Sequence, residues 1–144
     1  MPQQNELVVR RLVEEGWNRG NLAVIDDCIA HDFVGTGPLD APHGPSGQKT
    51  LITKYRSAFP DCHFEILDML TSGDRVITRF RYSGTHKGPL ESIPATGRHV
   101  SGEGITIDRI KDGRIVESIS QWDALGLLQQ LGVVTLPGAA RAGV

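Results

Sequence analysis

The chain has 144 residues, 39% hydrophobic and 22% charged, which fits one globular domain and excludes long disorder or a coiled coil. Its 15 Lys and Arg against 17 Asp and Glu give a net charge of −2, which argues against a nucleic-acid footprint. The 17 glycines and 8 prolines point to many turns and a strand-rich body. Cys28 and Cys62 are too few for a disulfide scaffold or a four-cysteine zinc site, and read as buried apolar filler. The N-terminus has no apolar run of signal-peptide length and no window has the length of a membrane span, so a cytoplasmic location is expected.

The first segment is helical. Val9, Leu12, Val13, Gly16 and Trp17 share one face of a 3.6-residue period. Gly20-Asn21 ends that helix and offers Asn21 as the N-cap of a second, with a stripe of Leu22, Ile25, Cys28 and Ile29. His31 to Val34 predicts a short strand, followed by a breaker-rich stretch from Gly35 to Pro45. Ser46 then caps a third helix with a buried face of Leu51, Ile52, Tyr55, Ala58 and Phe59, stopped at Pro60. Beyond Pro60 the period changes to two. Strands are expected from Cys62 to Leu70, over Val76 to Tyr82, from Arg98 to Ile110 and from Arg114 to Asp123. Hairpin signals stand at Ser72-Gly73-Asp74 and Lys111-Asp112-Gly113, and Gly84 to Gly97 is a long loop. Gly102 and Gly104 inside their strand predict a bulge or a sharp bend. Residues 124–131 close the pattern as a short amphipathic helix. Early helices and late hairpin-linked strands give an α+β fold. The expected shape is a cone-shaped α+β barrel, with a strongly bent, mostly antiparallel mixed sheet of five or six strands wrapped over the N-terminal helices. One domain is expected over residues 1–135, with a frayed tail over 136–144.

Several pieces together resemble the SnoaL-like polyketide cyclases. They are Ala58-Phe59-Pro60-Asp61, Gly73-Asp74-Arg75-Val76, Gly84-Thr85-His86-Lys87-Gly88, Ile93-Pro94-Ala95-Thr96-Gly97-Arg98, Asp112-Gly113-Arg114-Ile115-Val116-Glu117 and the run from Trp122 to Gly132. The match spans about Glu6 to Gly132 in order. The resemblance implies the cystatin-like cone shared with nuclear transport factor two, scytalone dehydratase and ketosteroid isomerase. It implies a cofactor-free pocket that closes an anthracycline precursor by an intramolecular aldol reaction. In that family an aspartate at the end of the last strand acts as acid and base, which maps onto Asp123. An aromatic residue late in the first helix lines the pocket, which maps onto Trp17. A histidine on an adjacent strand is expected, and His99 is the nearest candidate.

Read from the residues alone, Asp123 is an N-cap for the helix that follows at once. Alternation groups Ile115, Glu117, Ile119, Gln121 and Asp123, and if that face looks inward Asp123 and Gln121 share the pocket. His86 is either a loop residue holding backbone groups or a donor to a carbonyl that becomes an oxyanion. Arg79 belongs to an outer charged face, or anchors a carboxylate, or pairs with Glu103. Trp17, Tyr55, Phe59, Phe80, Tyr82 and Trp122 are core aromatics, some of which would also line a pocket for a flat substrate. His31 and His43, with Asp32 and Asp40, match no common zinc spacing, so no metal is expected. G-x-S-x-G, P-loop and G-x-G-x-x-G fingerprints are absent, which argues against serine nucleophiles and nicotinamide chemistry. The expected function is a cofactor-independent polyketide cyclase or isomerase acting on a small apolar, carbonyl-bearing substrate. Alternatives are a non-catalytic binder, or a hydrolase or dehydratase on the same cone. A homodimer or tetramer is expected because the outer sheet face carries isoleucines that the helices cannot also cover.

Overall fold

The computed structural model describes residues 2–135 and Pro137. Helix α1 (Pro2–Arg11) runs into a π-helical turn (Leu12–Trp17), then α2 (Ala23–Cys28), strand β1 (Ile29–Thr36) and α3 (Gly44–Ala58). Strands β2 (His63–Ser72), β3 (Arg75–Thr85), β4 (His99–Lys111) and β5 (Arg114–Trp122) follow, and α4 (Ala124–Gln130) ends the pattern. Apart from Pro137, the tail expected to fray lies outside the described residues.

Two helix starts differ from the sequence reading. Helix α2 has Leu22 as its cap residue, and Asn21 contributes only its carbonyl, which accepts from the Val24 amide at 3.3 Å. Helix α3 starts at Gly44 behind a His43 cap, because Pro45 suits a first helical turn and leaves no reason to wait for Ser46.

The five strands form one mixed sheet in the order β1-β5-β4-β3-β2. Strand β1 runs parallel to β5, and every other neighbouring pair is antiparallel. β1 and β2 remain as edges, so the sheet does not close into a barrel. Two apolar clusters hold it to the helices. One joins Val9, Leu12 and Ile25 to Ile52, Val76 and Ile115, and the other joins Ala58, Phe59, Leu90 and Val100 to Leu127 and Leu131.

The β4–β5 register decides which side chains face the helices. Asp112 (φ 52) and Gly113 (φ +78) make the tight turn, and Lys111 pairs with Arg114 and Ile110 with Ile115. The register then shifts, so that Arg109 opposes Glu117 and Asp108 opposes Ser118. One extra residue on β5 flips every later side chain to the other face. Ile115 therefore points into the core while Ser118, Ser120 and Trp122 also point inward. Uninterrupted alternation had grouped Glu117, Ile119 and Gln121 with Ile115. The bulge corrects that grouping, and Ile119 is 44% exposed on the outer face.

Gly102 and Gly104 are not bulge sites, since the β3–β4 register runs unbroken from Arg75↔Arg109 to Thr85↔His99. They are glycines because rings lie across them. A methyl group at residue 104 would sit 2.5 Å from Trp122 Cβ and 2.6 Å from Phe80 Cζ, and one at residue 102 would overlap the Tyr82 ring. Gly104→Ala should therefore force both rings to shift and cost about 1–3 kcal/mol, read as a lowered denaturation midpoint.

Candidate active site

A cavity of about 200 Å³ lies between the inner sheet face, the π-helical turn and α3. Its walls are mainly apolar and include eight aromatic side chains. The Trp17 ring stands 4.9 Å from Phe64 and 6.3 Å from Tyr55, and Tyr55 meets Trp122 edge-on at 6.4 Å. Phe80 and Tyr82 lie against the two glycines of β4, which lets the rings approach the sheet backbone. Such a slot offers faces and edges of rings to a flat apolar ligand.

Polar groups enter the cavity in two places. At one, Tyr55 donates its hydroxyl to Asp40 at 2.8 Å, and Lys54 donates to Asp40 at 2.6 Å and to Glu91 at 2.7 Å. Burial and the Asp40 carboxylate push the Tyr55 hydroxyl well above its ordinary value, so it stays protonated. At the other, three inward-facing rows cross the sheet. Val76, Asp108 and Ser118 form one, Thr78, Thr106 and Ser120 the next, and Phe80, Gly104 and Trp122 the third. Asp108 is 3% exposed and lines the cavity. Burial pushes its carboxyl up to about 6, while the Ser118 and Thr106 hydroxyls pull the other way. A carboxyl that binds a proton near neutrality and sits among apolar walls can act as a general base and return the proton as an acid. Gln48, 6% exposed on α3, adds an amide to the same lining.

The residues singled out from sequence divide. Trp17, Tyr55, Phe59 and Phe80 line the cavity. Asp123 is exposed and caps α4, its Oδ1 accepting from the Gly126 amide at 2.8 Å. Gln121 is exposed on the outer face beside Ile105. Arg79 is also exposed and makes two bonds to Glu103 Oε1, at 2.9 and 3.1 Å, while Arg81 reaches Oε2 of the same carboxylate at 3.0 Å. His86 is fully buried behind Phe59, with ring centroids 5.2 Å apart, and its Nδ1 accepts the Thr96 amide at 3.2 Å. His99 is exposed, 3.2 Å from the Thr85 hydroxyl. None of Asp123, Gln121, Arg79, His86 and His99 is among the cavity-lining residues.

Sequence reasoning missed Asp108 and the hydroxyls around it. The available signal was the face Gly102, Gly104, Thr106 and Asp108 on β4. It becomes informative once the two glycines are matched to Tyr82 and Phe80, the apolar face of β3. The cysteines offer no rival chemistry. Burial pushes the Cys28 thiol up to about 11 and raises Cys62 as well, which keeps both protonated at neutral pH.

Residues 7–131 match the family model of the SnoaL-like polyketide cyclases. The chain belongs to this family. It is 33% identical over 129 residues to the aklanonic acid methyl ester cyclase DnrD of Streptomyces peucetius, covering 87% of this chain and 88% of that protein. It is 29% identical to the nogalonic acid methyl ester cyclase of Streptomyces nogalater over 119 residues, 81% of this chain and 89% of the relative. The solved structure of TsrD from Streptomyces laurentii superposes with a TM-score of 0.84 at 27% identity, covering 93% of this chain and 98% of that one. The SnoaL-like chain is thus an enzyme of the cyclase and isomerase type with the α+β architecture of its relatives.

Two outcomes follow from the side-chain environments. Asp108 holds its proton more tightly folded than unfolded, so its contribution to stability is full below about pH 4 and is lost as pH rises through about 6. The stability of the wild type relative to Asp108→Asn should therefore fall by about 2 kcal/mol between about pH 4 and pH 7, as measured by denaturant unfolding. For Asp123, thermal unfolding should show Asp123→Ala losing about 0.5–2 kcal/mol, with Asp123→Asn close to wild type because Asn also caps.

Proposed function

We propose that this SnoaL-like protein is a cofactor-independent cyclase that closes a polyketide methyl ester by an intramolecular aldol reaction, with Asp108 as base and then acid. The observation that carries this reading is a single buried carboxyl set among hydroxyls at the floor of an aromatic cavity. Two relatives whose names specify methyl esters of polyketide acids support the substrate class.

The Asp108 carboxylate takes a proton from a carbon activated by an adjacent carbonyl. The C–H electron pair moves into the enolate, whose carbon forms a C–C bond to a second carbonyl of the same molecule. That carbonyl's π pair becomes an alkoxide, which takes the proton back from Asp108. No atom is left over, and Asp108 returns to its starting state. A carboxyl near 6 suits both halves, being mostly ionised at neutral pH and still a strong enough base. The aromatic walls keep the reacting carbons stacked and the folded ester out of water.

Turnover of a polyketide methyl ester should rise with pH through about 6 and level off, since the base must be ionised before it can act. Asp108→Asn should lower single-turnover rate by about 10²–10⁴ while ligand affinity survives. Asp123→Asn is the companion, and its rate should match wild type. An Asp108→Asn variant that turns over normally would remove the carboxyl from the mechanism.

The outer sheet face supports a second proposal, pairing of two chains through it. Ile105 is 47% exposed, Ile119 44% and Leu70 60%, beside the Arg79–Glu103–Arg81 cluster. Apolar side chains grouped on one sheet face favour a covered surface. Sedimentation at micromolar protein should give a dimer or larger, and Ile105→Glu with Ile119→Glu should shift the population to monomer.

A further inference from the structure

Two buried side-chain atoms have no hydrogen-bond partner among the described residues, His86 Nε2 behind Phe59 and Thr78 Oγ1, and only Thr78 lines the cavity. Thr78 is 1% exposed, its side chain lines the cavity, and its Oγ1 has no hydrogen-bond partner among the described residues. An unpaired buried hydroxyl is destabilising, and valine has the same shape without that cost. Thr78 stands directly opposite Thr106 on β4, and Asp108 is the next inward residue along β4. Such diagonal neighbours on one sheet face lie about 7 Å apart. A carbonyl oxygen and the proton on the neighbouring carbon fit between two groups at that separation, each about 3 Å from its partner.

We propose that Thr78 donates a hydrogen bond to the carbonyl oxygen of the substrate and holds it as the enolate forms, completing the site with Asp108. The inference rests on the cyclase reading and names a second group that touches the reacting atoms. When Asp108 removes the α-proton, the C–H pair moves toward the carbonyl oxygen, and that oxygen becomes the site of negative charge. A carboxylate alone cannot stabilise this charge, because it is itself negative until the proton arrives. The Thr78 hydroxyl can, since it is neutral, enclosed by the cavity wall and not committed to another acceptor. The Thr106 hydroxyl beside Asp108 already interacts with that carboxyl, so it is less free to turn toward the substrate. The ligand expected at the floor of the cavity is therefore an enolisable carbonyl of an ester-bearing, ring-fused ketone, with its rings among Phe80, Trp122 and Trp17.

The test uses the methyl ester of tetralone carboxylic acid, a ring-fused β-keto ester. Exchange of its α-proton in deuterated water, followed by nuclear magnetic resonance, reads enolisation without requiring ring closure. The full-length wild type, Thr78→Val, Thr78→Ser and Asp108→Asn are compared for kcat, KM and melting temperature. Thr78→Val should lower kcat by about 10²-fold with KM little changed, because the bond strengthens only as charge develops. Its melting temperature should equal or exceed that of wild type, which separates a lost interaction from a damaged fold. Thr78→Ser should restore most of the rate. Thr78→Val at the wild-type rate, with Asp108→Asn inactive, overturns the Thr78 inference and leaves the base reading standing. The reverse pattern, Asp108→Asn active and Thr78→Val slow, supports Thr78 and overturns the base. A wild type that binds the ester and exchanges no proton overturns both.

Discussion

One extra residue on β5 organises the active side of this molecule. The bulge between the Arg109 and Ile110 registers lets Ile115 stay in the apolar core while Ser118 and Ser120 turn toward the cavity. Without it, the strand would send Glu117 and Ile119 inward, placing a charge opposite the helices and removing two hydroxyls from the cavity floor. A bulge changes facing without changing composition, because side-chain direction in a strand has a period of two. The core end of the sheet and its polar floor therefore come from one strand pair read in two registers.

The cavity floor is arranged at a cost to the fold. Asp108 and Thr78 each bury a polar group where apolar side chains would pack, and the Thr78 hydroxyl has no partner among the described residues. Such a cost is tolerated because the surrounding clusters are extensive. Val76, fully buried in the first inward row, packs in one cluster with the fully buried Ile115, while Ala58, Phe59 and Val100 belong to a second cluster. The hydroxyls of Thr106 and Ser118 partly replace water around the carboxyl, which leaves its proton affinity raised but not extreme. An intermediate value of this kind suits the acid/base role proposed for Asp108, in which one side chain takes a proton and returns it.

Much of the architecture was legible because local signals agreed with the fold. The helix around Val9, the stop at Pro60 and the Asp112-Gly113 turn each correspond to an observed boundary or element, whereas Leu12–Trp17 departs from the expected 3.6 period as a π-helical turn. The site was less legible for a definable reason. A parity argument carries across a strand only if no residue is inserted, and nothing in Arg114 to Asp123 announces an insertion. Asp108 is flanked by Ile107 and Arg109, so alternation alone does not say which neighbour is inside. The resemblance drew attention to Asp123, whose position at a strand-to-helix junction also satisfies a helix cap, and the structure shows that cap being made. Trp17 was placed by the same apolar face as Val9, Leu12 and Val13, and all four line the cavity although the turn between them is π-helical.

The π-helical turn at Leu12–Trp17 has its own consequence for how such a cavity can change. It widens the coil locally, and Leu12, Val13 and Trp17 all reach the ligand space from it. Removing one residue there would let the segment relax to a regular helix while the flanking turns keep their faces, because a π-helical turn accommodates one extra residue. The bonds between Asn18 and the Phe64 backbone, at 2.7 and 3.0 Å, hold the end of the turn, so the change would fall on the side chains within it. The length of this turn is thus a coarse adjustment of cavity shape, whereas substitutions at the rings are a fine one. Relatives that gain or drop a residue at this point would be expected to hold differently shaped molecules on an unchanged sheet.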